Sequence, residues 1–273
     1  MDKTKIRICT AGFTDTTWNG VIYPDGLKPA QELAYYEKEL DFNCVEIDVT
    51  FYALISSKST AGMERKTSPD FEFIAKAYAG ITHAPFHDKT DNKKSAIDDA
   101  MKYIEKFLYV IKPFKDKGKL ATVLLQFPAF FLPSADNFRY LELCRSAFKD
   151  TPLSVEFRNE KWAVEETYNF LKNHSLGCCN VDEPHVNHMM PFLSRLTSDI
   201  AFFRFHGRNK NWQFLPKEEK VEYDYTDKEL EFFAKEISKA ASAAKKVYVV
   251  FNNNYAGLSI KNAVKLKQIL NIS

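Results

Sequence analysis

Glu46, Gln126, Glu156, His206 and Asn252 each stand in a short run that begins apolar and turns abruptly polar. The runs are Val45-Glu46-Ile47-Asp48-Val49-Thr50, Val123-Leu124-Leu125-Gln126-Phe127, Leu153-Ser154-Val155-Glu156-Phe157-Arg158, Phe203-Arg204-Phe205-His206-Gly207-Arg208 and Val249-Val250-Phe251-Asn252-Asn253-Asn254. Carboxyl groups and an imidazole do acid–base chemistry when their surroundings push their pKa values apart. Glu156 and His206 are the expected acid–base pair. Glu46 and Lys76 complete the catalytic set. Lys76 suits a Schiff base or a proton carrier; the plainer reading is an ion pair with Glu46. The carboxylates likewise have a structural alternative, pairing with Arg158, Arg204 and Lys76.

The ligand-binding candidates surround these groups. Arg158, Arg204 and Arg208 offer guanidinium forks matched to carboxylate or phosphate. Gln126, Asn252 and Asn254 supply neutral polar contacts, and the last two lie where barrels often hold phosphate. Trp18 and Trp212 are expected as aromatic walls, Trp212 on a lid formed by residues 208–225. Glu46, Asp48, Glu156, Asp182 and His206 have the chemistry of metal ligands. Without a His-x-His or H-E-x-x-H motif no metal site is assigned, and the sequence names no cofactor.

Such residues need elements that bring strand ends together. Apolar runs with strand character cover residues 6–11, 44–50, 71–77, 121–127, 153–157, 176–181, 200–205 and 247–252. Amphipathic stretches at 29–40, 57–66, 91–111, 135–148, 160–173, 227–244 and 259–270 alternate with them. Pro184 and Pro191 interrupt the sixth crossover. Eight strands in βα alternation predict a (β/α)₈ TIM barrel. A dinucleotide fold lacks its G-x-G-x-x-G fingerprint. The period of two turns Glu46, Asp48, Thr50, Lys76, Gln126, Glu156, Arg158, Arg204, His206 and Asn252 toward the axis. Unpaired burial would cost several kcal/mol each, so they must share one watered pocket.

With 273 residues, one domain over 1–273 is the simplest organisation. A net charge of +2 argues against a dedicated nucleic-acid surface. The basic and aromatic residues of the 208–225 loop keep nucleic acid open as a partner. The five cysteines lack metal-type spacing and read as buried thiols in a reducing compartment. No signal-peptide core or membrane span is evident, so a cytoplasmic location without membrane partner is expected. Oligomeric state is not encoded legibly.

The runs around Glu46, Gln126, Glu156 with Trp162, Arg204 to Asn209 with Trp212, and Asn252 resemble the DUF72 family, also called YecE-like. Trp18-Asn19-Gly20, Tyr23-Pro24 and Thr82-His83 fit the same pattern. Gly12-Phe13-Thr14 departs from the family's usual Ser-Gly-Trp, Asp48 replaces an Asn, and Asn159 replaces a His. The resemblance implies a TIM barrel and brings no activity. The residues themselves favour an enzyme acting on a small polar or anionic substrate, a sugar or phosphorylated metabolite. A metal-dependent phosphoesterase or nuclease, and a non-catalytic nucleic-acid or protein binding module, are the alternatives.

Overall fold

Eight parallel strands form a nearly closed barrel in the order β1-β8-β7-β6-β5-β4-β3-β2. They are β1 (Ile6–Thr10), β2 (Cys44–Ile47), β3 (Glu72–Lys76), β4 (Leu120–Gln126), β5 (Leu153–Glu156), β6 (Gly177–Asp182), β7 (Ile200–Phe205) and β8 (Lys246–Phe251). The computed structural model describes residues 2–87, 93–209 and 219–272. The seam between β1 and β2 is closed just past the end of β1, where the Gly12 amide donates to the Glu46 carbonyl at 2.8 Å. The backbone that carries Glu46 therefore also locks the barrel shut.

Among the described residues, nine helices surround the sheet: α1 (Pro29–Lys38), α2 (Val49–Tyr52), α3 (Ser57–Arg65), α4 (Ala79–Thr82), α5 (Lys93–Asp116), α6 (Ala135–Phe148), α7 (Glu165–Asn173), α8 (Asp227–Ala243) and α9 (Leu258–Leu270). None is long and apolar enough to cross a membrane. Their starts follow the side chains that satisfy free amides. Ser134 Oγ accepts from Asn137 N, and Thr226 and Glu229 form a reciprocal capping box at α8. No helix is described between β6 and β7, as Pro184 and Pro191 foretold.

Several boundaries differ from the sequence reading; α5, for one, runs on to Asp116 rather than ending at 111. Strand β2 stops at Ile47 rather than running to Thr50, because Asp48 adopts a right-handed helical conformation (φ −81°, ψ −26°) and starts α2. Thr50 consequently does not extend the inward row. Its hydroxyl donates to the Ile47 and Lys76 carbonyls at 2.8 and 2.7 Å, tying the ends of β2 and β3 together. The stretch expected as one helix from 160 begins as a 3₁₀ turn, Glu160–Trp162, before α7. Asn159 caps that turn by accepting from Lys161 N. Residues 91 and 92, where α5 was expected to begin, lie outside the described residues.

The barrel axis is filled in layers. Thr122 and Ser154 share a hydrogen bond of 3.0 Å low in the interior, with Ile74 and Leu124 buried at the facing positions. All five cysteines are free and buried. Above this apolar floor the inward side chains become charged.

Candidate functional site

Arg204 forms the centre of the charged layer. Its side chain is fully buried, and its three nitrogens reach three strands. Nε donates to Glu46 Oε2 at 2.9 Å and Nη2 to Glu46 Oε1 at 2.7 Å, a two-pronged fork. Nη1 donates to Glu156 Oε2 at 2.5 Å and to Gln126 Oε1 at 3.3 Å. One guanidinium thus joins β2, β4, β5 and β7.

Glu156 receives more than Arg204. Arg158 Nη1 donates to its other oxygen at 3.1 Å, and His206 Nε2 lies 3.2 Å from the same atom. Cys179 Sγ donates to Oε2 at 3.7 Å. Arg158 in turn places Nε 2.7 Å from Glu183 Oε2. His206 is held at its far nitrogen by Asn252, with Nδ2 and Nδ1 2.9 Å apart. Strand alternation brings Glu46, Gln126, Glu156, Arg158, Arg204, His206 and Asn252 into one continuous network.

Burial and charge set the protonation states. Burial alone would raise Glu156, but Arg204, His206 and Arg158 outweigh it and hold the carboxyl well below its usual range. Burial pushes Glu46 up to about 8, against the pull of Arg204 and with the help of the neighbouring Asp48 carboxyl. Burial likewise carries Glu183 up to about 7 against Arg158. Burial, then Arg158, pushes His206 down to about 3 despite Glu156, so the imidazole is neutral.

Lys76 points into the mouth beside this network. Its ammonium is 4.0 Å from Asp48 Oδ1 and 4.6 Å from the centre of the Phe51 ring. The plainer expectation placed it on Glu46; the partner is Asp48, because Glu46 is occupied by Arg204. His83 packs edge-on against the same Phe51 ring, the ring centres 5.0 Å apart.

Other predicted ligand residues are differently placed. Trp18 is fully buried and donates from Nε1 to the Asn254 carbonyl at 2.7 Å, so it wedges the first loop against the last turn rather than forming an open wall. Asn254 donates to the Ala11 carbonyl at 2.6 Å and holds the same junction. Arg208 forks onto Asp182 (2.7–3.0 Å), reaches Glu229 at 2.8 Å and lies over the Phe233 ring. Its guanidinium is committed to the outer β7–α8 side, away from the Arg204 network. Trp212 lies outside the described residues. Among the described residues, no group of three or more His, Cys, Asp or Glu is arranged to hold a metal ion.

Sequence reasoning gave no site role to Glu183 and His83. Glu183 follows β6 directly, but Pro184 made it look like the start of an irregular crossover. His83 sits after the short helix α4, where the two-residue rhythm of strands has no reach.

Comparison with known proteins adds kinship. A family model described as "Protein of unknown function DUF72" matches residues 7–273. The UPF0759 protein YunF of Bacillus subtilis (strain 168) is 31% identical over 264 residues, covering 92% of this chain and 90% of that protein. The crystal structure of a DUF72 family protein from Thermotoga maritima MSB8 is 37% identical with a TM-score of 0.88, covering 97% of this chain and 99% of that one. A DUF72 family protein from Enterococcus faecalis V583 is 27% identical with a TM-score of 0.80, covering 98% of both chains.

Proposed function

The chain belongs to the DUF72 family, and from that premise we propose that it is an enzyme moving protons on a small polar or anionic substrate at the C-terminal mouth of its barrel. A sugar or phosphorylated metabolite fits the polarity of the mouth.

The charge balance of the network carries this reading. Three fully buried carboxyls, Glu46, Glu156 and Glu183, face two guanidiniums, Arg158 and Arg204. One negative charge is in excess. An uncompensated buried charge costs several kcal/mol, and a carboxyl relieves it by taking a proton. Glu156 is held ionised by its three partners, so the proton falls to Glu46 or Glu183. Glu46 has the route outward. Asp48 stands beside it, is 28% exposed at the mouth, and has a buried oxygen, Oδ1, without a hydrogen-bond partner.

In this scheme Glu46 stores a proton and Asp48 exchanges it with substrate. His206, neutral and held at both ring nitrogens by Glu156 and Asn252, keeps Asn252 oriented toward the reacting group. Glu156 and Arg204 are positioning residues: their bonds are saturated within the protein. Gln126 and Asn252, both partly exposed, orient the ligand.

Carboxyl-selective ¹³C NMR of the glutamates tests the stored proton. Near neutral pH the wild type should show a protonated glutamate signal that Glu46→Gln removes. A parallel screen incubates sugars and sugar phosphates in D₂O and follows carbon-bound deuterium and new products. Wild-type exchange or turnover lost in Glu46→Gln and His206→Ala is expected. Fully ionised glutamates, or turnover indifferent to both variants, would overturn the reading.

A further inference from the structure

We infer that Lys76, His83 and Arg158 form an anion subsite that takes the carboxylate or phosphate group of the substrate; this rests on reading the barrel mouth as the substrate site. Lys76 is the central observation. Its side chain is only 12% exposed, yet among the described residues its ammonium makes no hydrogen bond. Asp48 at 4.0 Å lies beyond hydrogen-bond range, and the ammonium also lies over the face of Phe51. Its three N–H donors are thus unused by the described residues and open toward the mouth. An ammonium in that position is stabilised when an anion arrives.

His83 flanks the same aromatic ring from another side. Its Nδ1 is 2.9 Å from the Thr82 hydroxyl, which is fully buried. That hydroxyl donates to Nδ1 when the ring proton is on Nε2, leaving an N–H for a ligand. Burial and the nearby Lys76 and Arg158 cations push His83 down to about 4, so it is a neutral donor and adds no charge. Arg158 uses Nε on Glu183 and Nη1 on Glu156. Among the described residues its Nη2 carries no hydrogen bond, and the side chain is 21% exposed. Lys76 and His83 share Phe51 as an apolar edge, and the Lys76 and Arg158 charges both reach His83, so the three groups supply two positive charges and directional N–H donors. A carboxylate or phosphate matches this in charge and in acceptor number.

The test uses inorganic phosphate and malonate as probes, with chloride at matched ionic strength as control. Binding is read by titration calorimetry and by thermal stabilisation of the full chain. Wild type should bind at least one probe above the chloride background. Lys76→Gln should weaken it about tenfold or more, and Lys76→Arg should restore most of the loss. His83→Phe should weaken it less, since a neutral donor is lost rather than a charge. Phosphate binding with weak malonate binding identifies a phosphorylated substrate; the reverse identifies a carboxylate. Neither probe binding to wild type, or unchanged affinity in a Lys76→Gln protein with wild-type circular dichroism, overturns the subsite. Glu46→Gln separates the two proposals, because it should leave probe binding intact while abolishing the stored proton.

Discussion

Arg204 and Glu46, 158 positions apart in sequence, meet inside the barrel through two parallel hydrogen bonds of 2.9 and 2.7 Å. The remaining terminal nitrogen of the same guanidinium holds Glu156. Arg204→Met should therefore strand the buried Glu156 carboxylate, leave the Glu46 carboxyl without its fork, and destabilise the fold by about 3–5 kcal/mol in urea denaturation. Arg204→Lys should recover little, since a point ammonium cannot reproduce the fork. Adding Glu46→Gln and Glu156→Gln to Arg204→Met should return much of the loss. If Arg204→Met alone were neutral, the network would be an incidental arrangement.

Stability should fall from mildly acidic to alkaline pH. The folded pKa of Glu46 is raised to about 8, so the unfolded chain releases that proton first. Its contribution is fully present below the ordinary glutamate pKa and is lost as pH rises through about 8, at up to about 1.4 kcal/mol per pH unit. Glu183, raised to about 7, acts in the same sense over a narrower window. His206 and His83, lowered to about 3 and about 4, oppose them below the ordinary histidine pKa, where the unfolded state gains protons first. The two effects offset each other in mild acid, and the carboxyls dominate above it. Glu46→Gln should flatten the fall in stability between the ordinary histidine pKa and pH about 8 in pH-dependent urea melts; an unchanged fall would remove Glu46 as its source.

Asp48→Asn should lower the Glu46 pKa, because the neighbouring carboxyl is one of the groups raising it. The change removes a charge at constant size, so the fold should tolerate it within about 0.5 kcal/mol. The protonated glutamate signal in the carboxyl NMR spectrum should shift to lower pH. A signal that titrates at the same pH would mean that Asp48 and Glu46 do not communicate.

The barrel and most of its charged layer could be read from strand periodicity. Alternation alone turns Glu46, Glu156, Arg204 and His206 inward, and βα alternation brings their strand ends together. Pairing was less legible. Lys76 joins Asp48 because Arg204 claims both oxygens of Glu46, a competition that depends on distances across the barrel. Residues after strand ends were the hardest. Arg208 follows inward-facing His206 by two positions, but Gly207 has a positive φ of 83° and breaks the alternation there. Arg208 turns outward to Asp182 and Glu229 as a result.

Trp18 shows how a residue suited to ligand stacking can serve the frame instead. Its indole is buried against Tyr23, with ring centres 5.9 Å apart, and its N–H is used by the Asn254 carbonyl. That bond fastens the loop after β1 to the turn that follows Asn252, which holds His206. Trp18→Phe keeps most of the apolar area and deletes the donor, leaving the Asn254 carbonyl with the Gly257 amide, at 3.2 Å, as its partner. The expected loss is about 0.5–1.5 kcal/mol in urea denaturation. Phosphate or malonate affinity should stay within about twofold of wild type, because the indole does not line the mouth. A large affinity loss with unchanged stability would restore Trp18 to the ligand surface and contradict its burial.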